Sequence, residues 1–398
     1  MTATGSQGLG IRDQGSGIWD QGPAAQLIPD PESPIPVSTE IVTDFDRFLE
    51  LEAEWNDAEA RAKVPHPFLL HAWFRTWWEC FGAGRQMYIV IVRSEGRVAA
   101  IAPLMVETVR MYGLPVRKID LIHNDHTPRV DFIVPDDAAE SYRAIWDTLF
   151  AAGGAWDVLQ LSRIVRGSAT GAAITRFADA RGCARGLWQG DVSPYIELTG
   201  TWEDYYRALP GKFRQNLRNR LSRLLKLGEP RLEILEDPVS IAAARDEALR
   251  LEASGWKRDA GTAICADPAV HRFYTLLADR AVERASLRLM FLTVGGRRIA
   301  TSYGSSYRGR LLLFKTGYDP EYATCSPFKL LTCFALQDAY ASGLKELDFL
   351  GDREPWKLEW TDTTRAHDWL YVFSGTVRAR LLHCLKFQMA PELKKWRA

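Results

Sequence analysis

The sequence predicts an α/β protein built from two tandem mixed-sheet domains. Three observations carry this reading. The chain has 398 residues, 46% hydrophobic and 25% charged, which is too long for one ordinary core and close to the average soluble globular composition. One succession of elements (strand, Gly turn, return strand, further strand, helix, buried strand) occurs twice. Landmarks also match at roughly 200 residues' separation, Glu95-Gly96-Arg97-Val98-Ala99 with Gly296-Arg297-Arg298-Ile299-Ala300, and Ala152-Gly153-Gly154-Ala155-Trp156-Asp157-Val158 with Ala341-Ser342-Gly343-Leu344-Lys345-Glu346-Leu347. An internal duplication explains both.

Residues 1–37 are rich in Gly, Gln, Ser, Asp and Pro, without hydrophobic periodicity, and read as a disordered tail. A first domain is expected over 38–198. It opens with a helix near Asp44, where Phe45, Phe48, Leu49 and 51–55 form an apolar stripe. A second helix follows Pro67, with Trp73, Phe74, Trp77 and Trp78 at helical spacing for core packing. Strands are expected over 87–93 and 97–106 around a Ser94-Glu95-Gly96 turn, then over 118–122 and 130–134. A helix over 138–152 should stop at Gly153-Gly154, ahead of a buried strand over 156–161.

A helical linker is expected over 199–258. Its first helix, 205–228, carries Lys212, Arg214, Arg218, Arg220, Arg223 and Lys226 against a Phe213, Leu217, Leu221, Leu224, Leu225 stripe; a second follows the cap Asp237-Pro238. The second domain, 259–398, repeats the grammar. Strands fall over 287–294, 299–307 and 310–318, a helix over 328–341 ends at Ser342-Gly343, and a last strand covers 345–350.

Several function classes are excluded or disfavoured. Fifty Lys+Arg balance fifty Asp+Glu, so no whole-chain attraction to nucleic acid or anionic lipid is expected. Apolar runs are only strand-length, so no membrane span is expected. The six cysteines are scattered without a Cys-x-x-Cys pair and read as free thiols of a reducing compartment, with the cytoplasm as the default in the absence of a visible signal peptide. His123 and His126 lie three apart without a helical frame or clear third ligand, so no metal is expected. No Ser-His-Asp order, P-loop or dinucleotide fingerprint is present.

The most informative stretch is 311–351. A strand leads through Lys315-Thr316-Gly317-Tyr318-Asp319-Pro320 into a helix opening at Ser326-Pro327-Phe328-Lys329, with Ser at the N-cap and Pro at N1. Such a start presents backbone N–H groups and the positive dipole end to an anion such as pyrophosphate, with Lys315 or Lys329 adding charge. An ordinary capped helix would have the same spelling.

With Leu347-Asp348-Phe349-Leu350-Gly351, Trp356-Lys357, Lys212-Phe213-Arg214-Gln215-Asn216-Leu217-Arg218, Glu252 to Lys257, Gly261 and Phe273-Tyr274, this stretch resembles the bacterial acetyltransferases of the cellulose-biosynthesis type. These are tandem members of the GNAT (acyl-CoA N-acyltransferase) superfamily, related to Fem-type aminoacyl transferases, and the resemblance spans about residues 65–375. It implies two tandem GNAT-like domains; the first has no Ser-Pro helix start and is read as degenerate, without its own cofactor. An acyl-CoA donor, acetyl-CoA foremost, would lie along 314–318 and over 322–329, contacted by Lys315, Gly317, Tyr318, Tyr322, Ser326, Phe328, Lys329 and Lys357. Phe328 stands where family members often have Gly.

Acyl transfer to an amine or hydroxyl needs a base for the nucleophile and an acid for the leaving thiolate. Asp348 is the first expectation for the base, Glu354 the substitute, and Tyr303 or Tyr318 an acid. Trp256, Lys257 and His271 are expected at the acceptor, read as a small molecule or glycan precursor of polysaccharide or cell-envelope synthesis. Two alternatives stay open: a Fem-like enzyme taking aminoacyl-tRNA on the basic helix, and a non-catalytic binding protein of a polysaccharide operon.

Overall fold

The structure, a computed structural model, describes residues 37–136, 138–151, 156–254, 261, 263–281 and 287–389. The expected tail up to residue 36, the Gly153-Gly154 stop, Trp256 and Lys257 lie outside the described residues.

The strands are β1 Val37–Val42, β2 Gln86–Ser94, β3 Arg97–Met111, β4 Leu114–Leu121, β5 Val158–Val165, β6 Arg185–Glu197, β7 Pro230–Leu235, β8 Leu287–Val294, β9 Arg297–Tyr307, β10 Arg310–Tyr318, β11 Glu346–Asp348 and β12 Thr364–Phe373. The helices are α1 Phe45–Glu50, α2 Glu52–Ala60, α3 His71–Phe81, α4 Ala139–Ala151, α5 Ala169–Ala180, α6 Trp202–Ala208, α7 Gly211–Leu225, α8 Pro238–Glu252, α9 Pro268–Ala281, α10 Pro327–Ala341 and α11 Val377–His383.

The twelve strands of the described residues form one sheet in the order β1-β2-β3-β4-β5-β12-β6-β11-β10-β9-β8-β7. Read from either edge, the same pattern appears. Two hairpins precede a parallel pair, β4 with β5 and β10 with β11, bridged by α4 and α10 respectively. Then the last strands cross over: β6 pairs with β11 of the other half, β12 pairs with β5, and the two meet antiparallel at the centre. Each half therefore completes its sheet with a strand from the other.

Local chemistry explains the repeat. Among the described residues, the four two-residue hairpins turn on positive φ at both positions: Glu95-Gly96, Tyr112-Gly113, Gly295-Gly296 and Arg308-Gly309. That geometry suits the right-handed twist of the strands, and Gly takes the second place each time. The helix after Pro67 and the expected 118–122 and 287–318 strands are present. The 199–258 segment is not purely helical, because β7 within it forms the sheet edge on β8. Residues 130–134 make an isolated bridge, Ile101 with Ile133, rather than a full strand.

The core runs across both halves. Trp73 and Trp77 of α3 are buried, and Trp73 meets Phe273 of α9 edge-on at 5.4 Å, while Phe68 lies 5.6 Å from Phe314 of β10. No helix among the described residues is long and apolar enough to cross a membrane.

Candidate functional site

β10 and β11 run together for three rungs only, Arg310 with Glu346, Leu311 with Leu347 and Leu312 with Asp348. β10 then continues to Tyr318, paired with β9 on its other side, while the chain after Asp348 turns away through Leu350 and Gly351, both at positive φ. The Asp348 carboxylate accepts the Leu350 N–H at 2.8 Å and fixes that turn. A cleft of about 640 Å³ opens in the wedge, lined by 313–318 on one side and by Phe328, Phe349 and 354–357 on the other, with Glu252 and Ser254 at the end of α8.

Its walls are held by specific contacts. Lys357 is buried and donates to the carbonyls of Leu350 (2.8 Å) and Asp352 (3.0 Å). Trp356 stands edge-on to Phe328 (4.8 Å) and Phe349 (5.5 Å), and its indole N–H donates to Glu354 at 2.6 Å. Gly317 is required by space: a Cβ there would lie 2.3 Å from the Leu251 carbonyl oxygen at the end of α8.

Behind the Phe314–Lys315 and Phe349–Lys357 wall lies a smaller cavity of about 180 Å³ on the seam between the halves. The first half supplies Asp125, His126, Pro128 and Arg163 to it, and the second supplies Tyr274, Gly351 and residues of the shared wall. His126 Nδ1 lies 3.4 Å from the Tyr274 hydroxyl, and the imidazole stacks on Phe81. Burial, and then the charge of Lys315, pushes the His126 pKa down to about 4. Arg163 is held by Asp191 (2.6 Å) and Asp125 (2.8 Å).

Of the residues picked from sequence, Lys315, Gly317, Tyr318, Phe328, Glu354 and Lys357 come together on the wedge cleft. The others do not. Asp348 is fully buried, its oxygens taken by Arg129, by Arg365 (2.6 Å) and by the Leu350 N–H. Tyr303 is a core residue whose hydroxyl donates to the Tyr274 carbonyl at 2.7 Å, and burial pushes its pKa up, so it is a poor thiolate acid. Ser326 is not the expected side-chain N-cap: it sits in the left-handed region at φ 45°, and only its carbonyl accepts from Lys329 and Leu330. Lys329 is spent on Glu359 beside the Phe213 ring, Tyr322 stacks with Arg297, and His271 is exposed on α9. His123 and His126 also part company, His123 going to Asp120 at 3.5 Å. No cluster of three metal-ligating side chains occurs among the described residues.

Sequence reasoning weighed His126 only as a metal ligand and missed its contact with Tyr274. Tyr274 stands in the sequence only as part of the Phe273-Tyr274 pair, and Arg163 carries no local signal. All three meet through tertiary packing, and no short motif spells that.

Residues 211–358, less than half of the chain, match the family described as acetyltransferase (GNAT) domain. No curated protein sequence matches. Among solved structures, the chain is similar to FemX (TM-score 0.57, 12% identity, covering 88% of this chain and 100% of that one). It is also similar to the C-terminal domain of a putative lysylphosphatidylglycerol synthetase from Agrobacterium fabrum (0.51, 14%, 84% and 95%) and to a conserved protein of unknown function from Bacteroides thetaiotaomicron (0.51, 12%, 85% and 100%). At these identities the likeness is one of fold. The chain is an α/β protein of two tandem GNAT-like halves, and the stretch similar to the acetyltransferase (GNAT) domain family lies mainly in the second.

Proposed function

We propose that the chain transfers an acyl group, acetyl foremost, from an acyl-CoA thioester to an amine or hydroxyl, with the donor in the second-half cleft. The carrying observation is that β10 parts from β11 after Leu312 among the described residues, and that 313–318 then line the cleft. A pantetheine arm contains amides that such an edge can pair as it would an added strand. The cleft fits it: Gly317 lets α8 close over the strand, Lys315 and Lys357 bring positive charge, and α10 begins at the far wall. Bound there, the donor would supply an acyl group already activated as a thioester.

The chain's own residues would bind, exclude water and move a proton. The main chain of 313–318 holds the arm, and its N–H groups can stabilise negative charge on the reacting carbonyl. Phe328, Phe349 and Trp356 wall the cleft from water. Glu354, bonded to Trp356 and close to Lys357, braces that wall. The acceptor enters the smaller cavity behind. There His126 is neutral at pH 7; with Nδ1–H donating to the Tyr274 oxygen, its Nε2 would take the proton from the attacking amine or hydroxyl, and the imidazolium so formed would return it to the thiolate released as the acyl–sulfur bond breaks. The resemblance to cellulose-biosynthesis acetyltransferases suggests an acceptor from polysaccharide or cell-envelope synthesis.

Hydrogen–deuterium exchange with and without acetyl-CoA tests this reading. The amides of 313–318 should become protected. Protection elsewhere, with none on this edge, would refute it. A second reading, a polyanionic aminoacyl-tRNA donor, is favoured by α7: Lys212, Arg218, Arg223 and Lys226 are exposed, and Arg223 donates to the Thr324 carbonyl at 3.1 Å, tying α7 to the stretch before α10. Steep salt dependence of tRNA binding would mark that donor.

A further inference from the structure

The first half contains a cleft of its own, about 440 Å³, at the position the repeat makes equivalent to the donor cleft. Ile133 opposes Ile101 on β3 as Gly317 opposes Thr301 on β9, so residues 129–134 follow the line of β10 from 313 to 318. The segment after α2, 62–66, stands where the end of α8 stands, and 165–170 stand where 349–357 stand.

The lining chemistry differs. Where the donor cleft has Lys315 and Lys357 with Glu252 and Glu354 among aromatic rings, this one has Lys63, Arg129, Arg166, Arg310 and Arg365, with Asp131 as its lining carboxylate. The carboxylates that answer these arginines are Asp348, Glu346 and Asp368, none of which lines the cleft. The N-terminal residues of α5, a twelve-residue helix, lie on the same wall. Two buried polar atoms on lining residues have no partner among the described residues, His66 Nδ1 and Arg129 Nε; each residue is only 4% exposed. A buried N–H without an acceptor costs stability unless something supplies one.

We propose that this cleft is a second ligand site, taking a small molecule that bears an oxyanion, either a carboxylate or a phosphate group. Arg129, Arg310 and Arg365 are its charged contacts, and His66 is a neutral N–H donor beside them. Guanidinium forks match either oxyanion, and the volume suits a small ligand or a head group. Burial, and then the charges of Arg129 and Arg310, holds His66 well below the ordinary imidazole range, so it donates without adding a charge. The site is independent of the donor reading.

The test is calorimetric titration of the full chain with inorganic phosphate and, separately, with acetate, at constant ionic strength balanced by chloride. Two variants probe the cleft. Arg310→Gln removes a guanidinium whose hydrogen bond goes to the Pro65 carbonyl, and Ala169→Trp fills the mouth from an exposed position. Thr316→Trp fills the donor cleft as a control, and thermal unfolding verifies that each variant is folded. The expected result is saturable one-to-one binding of at least one anion, weakened tenfold or more in both first-half variants and unchanged in Thr316→Trp. Phosphate alone or acetate alone would each support the site and identify its group. Binding lost in Thr316→Trp but kept in the first-half variants would overturn the proposal, as would no saturable binding of either anion. Should Arg310→Gln fail to fold, Ala169→Trp decides alone.

Discussion

Arg129, in the first half after β4, and Asp348, the last residue of β11, form a buried ion pair across the seam of the molecule, 219 positions apart in the chain. Arg365 of β12 completes the cluster at 2.6 Å from the same carboxylate oxygen. One carboxylate thus joins the wall of the first-half cleft to the turn that opens the donor cleft.

Asp348→Asn should therefore act on stability first. It leaves two guanidinium groups facing an amide in a buried place, and breaking such a pair costs about 3–5 kcal/mol. Urea unfolding monitored by circular dichroism measures this. Stability within about 0.5 kcal/mol of the parent, the range of an ordinary surface substitution, would show that the carboxylate does not hold the seam.

His126→Gln should lower kcat by about 10²–10⁴, the usual contribution of a positioned base, while leaving the KM for acyl-CoA nearly unchanged. The parent's kcat/KM should rise as pH increases through about 4, where the imidazole loses its proton, and the variant should lack that limb. Initial rates between pH 3.5 and 8 read both effects.

Tyr303→Phe separates packing from chemistry. The hydroxyl makes one buried bond to the Tyr274 carbonyl, and losing it should cost about 1 kcal/mol. Turnover should stay within about twofold of the parent, far from the loss a missing acid brings. A fall of 10² or more with stability intact would return Tyr303 to the reaction.

Acid stability should depend on His367, which is 2% exposed and lies 3.2 Å from the Asp191 carbonyl. Burial, and then the charge of Arg129, pushes its pKa down to about 4. Above the unfolded value of about 6.5 the ring is neutral in both states. As pH falls from there toward 4, the unfolded chain takes up a proton that the fold refuses, and about 3 kcal/mol of stability is lost. His367→Asn, which retains a donor for Asp191, should lose correspondingly less between pH 7.5 and 4. Equal losses in both proteins would contradict this.

Much of the sheet was legible because its grammar is local. The Gly-bearing turns at 95–96 and 295–296, the apolar return strands and the Pro start of α10 all declare themselves within a few residues. The central strands did not. β6 carries Gly186, Gly190, Asp191 and Pro194, and β12 carries Arg365, His367 and Asp368; these residues mask the strand pattern, and each strand finds partners in the opposite half. The same non-locality explains the site. Lys315, Phe328 and Lys357 lie within one stretch and were readable, whereas His126 meets Tyr274 148 positions away, and Arg129, which holds Asp348 in a buried ion pair, stands 219 positions from it.

The central claim is that the second-half wedge holds an acyl-CoA donor, and calorimetric titration with acetyl-CoA tests it most directly. The parent should bind saturably with one-to-one stoichiometry, and Thr316→Trp, which fills the wedge between β10 and the 349–357 wall, should abolish binding while unfolding at a similar temperature. Absence of binding by the parent, or equal binding by the folded variant, would contradict the account.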